Sequence, residues 1–225
     1  MPQITDISPQ KKNKDRVNIF LDGKYAFSIS LENLLKNKLK TGADLLEDEV
    51  SRLSGEEFVL KLQDRVINFL SFRPRSEKEI RDYLAKKIST VNNISFSQAQ
   101  NSDVIEKIIL KIKKYNYIND TEFAKWWLSS RTASKPKGIN FIKIELLKKG
   151  VSRSIIEKVL RSAPNQLKLA EKAIEKKLSM WQKIPPFEQK RKIYTFLASR
   201  GFQQEIIEDI FAKYSGKIDS INNIK

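Results

Sequence analysis

The sequence predicts a mainly α protein: an elongated, curved array of three tandem three-helix repeats, preceded by a small N-terminal domain of a β-hairpin plus a helix. Two self-alignments and one change of period carry that prediction. "IELLKKGVSRSIIEKVL" (144–160) aligns with "TFLASRGFQQEIIEDIF" (195–211) at an offset of 51, setting Gly150 on Gly201 and Leu160 on Phe211. "RPR" (73–75) aligns with "KPK" (135–137) at an offset of 62, with Ile80 on Ile142 and Leu84 on Leu146. The apolar pattern also changes along the chain, from a period of two around Asp22-Gly23 to helical spacing from Phe58 onward.

In chain order, "RVNIFLDGKYAFSIS" is the hairpin. Val17, Ile19 and Leu21 alternate with polar or smaller residues, as do Tyr25, Phe27 and Ile29, and Asp22-Gly23 marks the turn. A three-residue loop, Leu21 to Gly23, pairs Ile19 with Tyr25 and Val17 with Phe27. It is favoured over a two-residue turn, which pairs Phe20 with Tyr25 and sets Ile19 opposite Ala26. "LENLLKNKLKTG" follows as a helix closed by Gly42 that covers the hairpin. These elements form residues 1–55. The repeats follow at 56–116, 117–163 and 164–216, with a tail at 217–225. The two offsets differ by 11, which places an insertion in the first repeat. That insertion, "ISTVNNISFSQAQNSD", is polar and nearly uncharged and reads as a long loop.

Each repeat reads as helix, basic-proline turn, helix, turn, helix. Units this short bury little alone and stack on their neighbours. Gly150 and Gly201 fall where left-handed residues end helices, with Lys149 and Arg200 favourably placed against the helix dipole. Ser76 and Glu79 form a capping box, and Pro74 stops the preceding helix.

Charge separates functions. The net charge is +16, yet residues 111–163 carry 13 basic and 4 acidic side chains, against 9 and 8 in each of 1–55 and 56–110. Excess localised in this way is what a polyanion-binding surface looks like. The chain holds 32 lysines and 11 arginines, so the pair Arg73 and Arg75 does not follow from lysine abundance. Arginine suits forked recognition of phosphate or carboxylate. Two readings of these residues stay open: binding a partner, or intramolecular bridging to Glu77, Glu79 or Asp82. Arg131, Lys135 and Lys137 repeat the theme. Lys111, Lys113 and Lys114 read as a solvated helix end. Trp126 and Trp127 sit ~100° apart on a helix and read as packing between repeats in preference to base stacking. Tyr115 and Tyr117 read as inter-helix packing on the same grounds.

The chain contains no cysteine and no histidine. That excludes thiol nucleophiles, histidine-based triads and thiolate metal sites. The glycines form no phosphate-cradling cluster. A magnesium nuclease is left only scattered acids such as Glu77/Glu79 and Glu205/Glu208/Asp209. No secretory leader is apparent, and no apolar run approaches the ~20 residues of a membrane span. A soluble, cytoplasmic, monomeric protein without cofactor or metal is expected.

The motif series "RPRSEKEIRDYLAKK", "VIEKIILKIKKYNYINDTEFAKWWLSSR" and "KPKGINFIKIELLKKGVSRSIIEKVL" resembles the RecX family, bacterial regulators of the RecA recombinase. The likeness covers about 56–216, and residues 15–55 are similar to the N-terminal extension of longer members. The family's tyrosine-isoleucine junction matches Tyr117-Ile118-Asn119-Asp120, its serine-arginine Ser130-Arg131, its basic-glycine turn Lys137-Gly138 and its lysine-glycine helix end Lys149-Gly150. The chain departs from the family at Asn119, at Asn140 and Phe141, and in the longer insertion. The resemblance implies a non-enzymatic inhibitor lying in the groove of the RecA filament on single-stranded DNA. There it would limit filament extension, ATP hydrolysis, strand exchange and SOS co-protease activity. On this basis Arg73, Arg75, Arg131, Lys135, Lys137, Lys143 and Lys149 are the candidate contacts to filament or DNA. The alternative is a stand-alone DNA-binding protein with helix-turn-helix-like repeats.

Overall fold

The computed structural model describes residues 1–11, 13–181 and 184–222, and side chains in the last helix as far as Tyr214. The chain divides into two compact units, Met1–Phe72 with Leu84–Leu110 and Arg73–Tyr83 with Lys111–Lys225.

The first unit opens with a three-stranded antiparallel sheet, not a hairpin alone: β1 (Ile4–Pro9), β2 (Arg16–Leu21) and β3 (Lys24–Ser30), in the order β1-β2-β3. A register shift between Ile4 and Asp6 breaks the alternation in β1, which is why no period of two marks that strand. The β2–β3 turn has two residues, Asp22 and Gly23, with φ of 48° and 75°, as a mirror-image hairpin turn requires. It pairs Phe20 with Tyr25, and a bulge then sets Ile19 opposite Phe27 and Val17 opposite Ile29. The expected three-residue loop is therefore wrong. The bulge at Ala26 reconciles the tight turn with an inward-facing Ile19. Ile4, Val17, Ile19, Phe27 and Ile29 form one buried cluster with Leu45 and Leu53.

Helix α1 (Leu31–Lys36) ends well before Gly42. Its stop is made by Lys38 at φ 51°, with the Lys38 amide on the Leu35 carbonyl and the Leu39 amide on the Leu34 carbonyl, a Schellman arrangement. Helix α2 (Glu47–Ser71) runs unbroken through position 55. Its Glu57 is buried and accepts from Arg16 at 2.6 Å and Asn33 at 2.8 Å. Helix α3 (Glu77–Asn92) continues into the segment expected to be loop. Helix α4 (Phe96–Gln100) follows, capped by Ser95 and Gln98 and burying Ala99. Helix α5 (Asp103–Lys114) completes the first repeat. The insertion is thus mostly helical: a local capping box, which needs no charge, organises it.

The second unit carries the other two repeats: α6 (Asp120–Ala133), α7 (Ile139–Lys148) and α8 (Arg153–Leu160), then α9 (Gln166–Trp181), α10 (Pro186–Ser199) and α11 (Gln204–Asn222). Each repeat has its own buried cluster. One is centred on Phe123, Trp127, Ile142, Leu146 and Ile156, the other on Ile174, Ile193, Leu197, Phe202 and Ile210. Gly150 and Gly201 both lie at φ 79°, the helix-ending conformation expected of them.

The helix-ending glycines also serve as docking points. The N-terminus of the second helix in one repeat abuts the glycine turn after the second helix of the next. Ser76 donates its hydroxyl to the Lys149 carbonyl at 2.7 Å. One repeat on, the Gly138 amide donates to the Arg200 carbonyl at 2.9 Å. Ser76 and Gly138 correspond through the offset of 62, and Lys149 and Arg200 through that of 51. The second contact is so close that a Cβ on Gly138 would meet the Gly201 carbonyl oxygen at 2.2 Å, and one on Gly201 would meet the Phe141 amide nitrogen at 2.4 Å.

Gly138 has φ −72°, a value alanine adopts without strain. Gly138→Ala would therefore stabilise by up to ~1 kcal/mol if backbone entropy alone mattered. The junction predicts instead a loss of more than about 2 kcal/mol from the clash. Gly55→Ala, in open space within α2, is expected to gain roughly 0.5–1 kcal/mol. Thermal unfolding of both variants, followed by circular dichroism, checks the pair.

Candidate partner-binding surface

Helix α6 is started by Asn119, whose side-chain oxygen accepts from the amides of Thr121 and Glu122 at 2.9 and 3.2 Å. It delivers Phe123, Trp126, Trp127 and Arg131. Phe123 packs on both indoles, with ring centroids 6.2 and 5.6 Å away; Trp127 is buried in the core of the second repeat and half-buried Trp126 packs against it. Trp127 presents an edge and a face to polar groups. Its indole N–H donates to Glu145 at 2.8 Å. Three cations lie over its ring: Arg131 at 4.3 Å, Lys149 at 5.2 Å and Arg73 at 5.9 Å from the centroid.

Two carboxylates hold those cations. Arg131 makes a forked pair with Glu145, at 2.7 and 3.0 Å. Arg73 makes another with Glu79, at 2.8 and 3.1 Å, and Lys149 reaches the same carboxylate at 2.5 Å. Burial alone would raise the Glu79 pKa, but the hydrogen bonds and charges of Arg73 and Lys149 outweigh it and bring the group from 4.5 to about 2. Of the two readings open for Arg73, intramolecular bridging is the one the geometry contains, and Glu79 serves the cap and the bridge together.

Arg75 lies nearby. Burial and then the Arg73 charge push its pKa down, with Glu79 opposing. Lys137 sits over the Phe141 ring at 4.1 Å. Burial, followed by the Arg200 charge, lowers its pKa; Glu145 opposes the shift and Arg131 adds to it. Arg73, Arg75, Arg131, Lys137 and Lys149 thus form one half-buried assembly around Trp127 and Phe141. Lys135 and Lys143 are different: both are exposed, and among the described residues no ion pair engages them. Of the lysines at the end of α5, Lys113 pairs with Glu77 at 2.5 Å. Tyr115 and Tyr117 are exposed, with ring centroids 6.4 Å apart. The expectation that they pack between helices fails, because the turn at Asn116, with φ 57°, ends α5 before either ring can reach the core.

Sequence reasoning missed Glu145, Phe141 and Arg200. Glu145 lies 14 residues from Arg131, so no helical spacing announces the pair. Phe141 was visible: the offset of 62 places it where the first repeat has Glu79. There it turns the cation site from a carboxylate into a ring.

Fold and site together define a tandem three-helix repeat protein whose second repeat displays cations braced by carboxylates and aromatic rings. Among the described residues no cluster of acids is arranged to hold a metal, and no helix is long and apolar enough to cross a membrane. The chain matches the family models for the regulatory protein RecX N-terminal domain (residues 2–45) and the RecX first, second and third three-helix domains (64–89, 119–160 and 165–211). It is 38% identical to the regulatory protein RecX of Bacillus pumilus over 210 residues, 92% of this chain and 76% of that protein. It is 36% identical to that of Listeria welshimeri over 219 residues, 96% and 77%. A crystal structure of regulatory protein RecX superposes with a TM-score of 0.64 at 26% identity, covering 92% of this chain and 98% of that one. The RecX of Lactobacillus salivarius gives 0.58 at 25% identity over 70% and 97%. The chain belongs to the RecX family of regulatory proteins.

Because the folded pKa of Glu79 is depressed, its stabilising contribution is complete above pH 4.5 and is lost as pH falls towards about 2. The difference in urea midpoint between the wild type and Glu79→Gln is expected to be large at neutral pH and to shrink across that window. A difference that does not change with pH would contradict the assignment.

Proposed function

We propose that this protein regulates, mainly by inhibiting, a RecA recombinase. It would bind in the groove of the RecA filament on single-stranded DNA and limit filament extension, ATP hydrolysis, strand exchange and SOS co-protease activity. In this reading it acts in the cytoplasm as a monomer and catalyses nothing. Membership of a regulatory family supports the reading. The observation that carries it is the cationic assembly where the first repeat meets the second, whose segment 111–163 holds most of the basic excess, with Lys135 and Lys143 exposed beside cations already held in place. Sites fixed in advance lose little entropy on binding, and contacts spread along successive repeats reinforce one another.

The N-termini of the second helices, α3 and α7, are not free for duplex readout. A helix-turn-helix protein offers the N-terminal residues of its recognition helix to base edges. Here the start of α3 is engaged by the Lys149 carbonyl and that of α7 by the Arg200 carbonyl, so neither end is open to a groove.

Lys135→Glu combined with Lys143→Glu removes two exposed charges without touching a bridge. Inhibition of RecA ATP hydrolysis on single-stranded DNA is expected to weaken at least about tenfold, roughly 1.4 kcal/mol, with helical content unchanged. Binding to the filament should exceed binding to naked DNA. Inhibition unaltered by the double variant, or equal affinity for filament and DNA, would contradict the proposal.

A further inference from the structure

The cationic assembly does not explain one feature of α7. Its outer stripe is apolar: Ile144 is 54% exposed and Leu147 39%, with half-buried Phe141 a turn before them. Successive spacings of three put these side chains on one face. Phe141 and Ile144 form a ridge between two clefts, and both residues line each cleft. One cleft, of about 420 Å³, is bounded by Trp127, Arg131, Glu145, Lys148 and Lys149. The other, of about 380 Å³, is lined by Tyr194, Phe202 and Ile207 and contains no charged side chain.

A surface for nucleic acid alone has no use for this arrangement. Single strands are held by cations and by flat rings on which bases stack, and the two most exposed members of the stripe, Ile144 and Leu147, offer neither. Exposed aliphatic knobs flanked by charge belong instead to protein interfaces, where an apolar centre is ringed by polar groups. The net charge around the ridge is positive, since the cations there outnumber the one carboxylate. Lys143 and Lys148 are exposed on α7, while the helix's one carboxylate, Glu145, is occupied by Arg131 and Trp127.

Building on the function proposed above, we infer that the Phe141–Ile144 ridge seats an acidic protein segment carrying apolar side chains, so that this face of α7 meets the recombinase polypeptide and not the DNA. The acidic groups of the segment meet the exposed Lys143 and Lys148, and its apolar side chains enter the uncharged cleft.

The test uses the full chain with p-benzoylphenylalanine placed at Ile144, irradiated in the presence of RecA filaments on single-stranded DNA. An adduct with the RecA polypeptide is expected. An adduct with DNA, an adduct with a second copy of this chain, or no adduct would overturn the inference. In parallel, Ile144→Ser with Leu147→Ser, both exposed positions, is expected to weaken inhibition of filament ATP hydrolysis about tenfold. Its affinity for an oligothymidylate should change less than twofold. A parallel loss of oligothymidylate binding, or unaltered inhibition, would overturn the ridge while leaving the function standing. A wild-type chain that does not inhibit the filament would overturn both.

Discussion

Successive repeats are joined by a hydrogen bond from the start of one helix to the carbonyl that ends another. The last carbonyls of a helix lack partners within it. At Lys149 the partner is the Ser76 hydroxyl, and at Arg200 it is the Gly138 amide. Both acceptors stand immediately before a glycine in the left-handed conformation. That glycine turns the chain away and leaves the space that the neighbouring helix fills. Side-chain positions follow from the backbone contact. Because α7 ends at the start of α3, Lys149 reaches Glu79 and draws Arg73 into the same carboxylate. Because α10 ends at the start of α7, Phe141 comes to lie against Gly201 with Lys137 over its ring. The cationic surface is a product of the way the repeats join.

This origin separates the basic residues into two kinds. Arg73, Arg131 and Lys149 are partly withdrawn from water and held by carboxylates. Breaking such a pair leaves an uncompensated charge, so these residues are bound to the fold whatever else they touch. Lys135 and Lys143 have no such commitment and keep their full charge for a partner. A net charge of +16 attracts anionic partners from a distance. The rigid cations and the apolar ridge of α7 then act only at contact.

Much of the architecture was legible because repetition is visible without coordinates. The offsets of 51 and 62 place Gly150 on Gly201 and Arg73-Pro74-Arg75 on Lys135-Pro136-Lys137, and the junctions fall at those positions. The capping box at Ser76 and Glu79 could be read for the same reason, since it is local. What escaped was non-local or locally irregular. Strand β1 escaped because its bulge destroys alternation. The turn is the two-residue alternative, and the bulge at Ala26 gave the strands beyond it a register that neither alternative contained. Helix α4 escaped because an uncharged, polar stretch gives little sign of its single buried alanine. In the site, the cations were evident as a class and Glu79 stood among the partners open to Arg73, but Glu145 could not be matched to Arg131 nor Glu79 to Lys149: Lys149 and Glu79 are 70 positions apart, and only the junction brings them together.

Amide hydrogen exchange at Gly138 tests the junction most directly. Its N–H precedes helix α7 and would exchange at the rate of an open turn if the repeats merely touched. Donation to the Arg200 carbonyl predicts exchange as slow as that of the buried amides of α7, released only when the second and third repeats unfold together. Rapid exchange at Gly138, independent of added denaturant, would contradict the account.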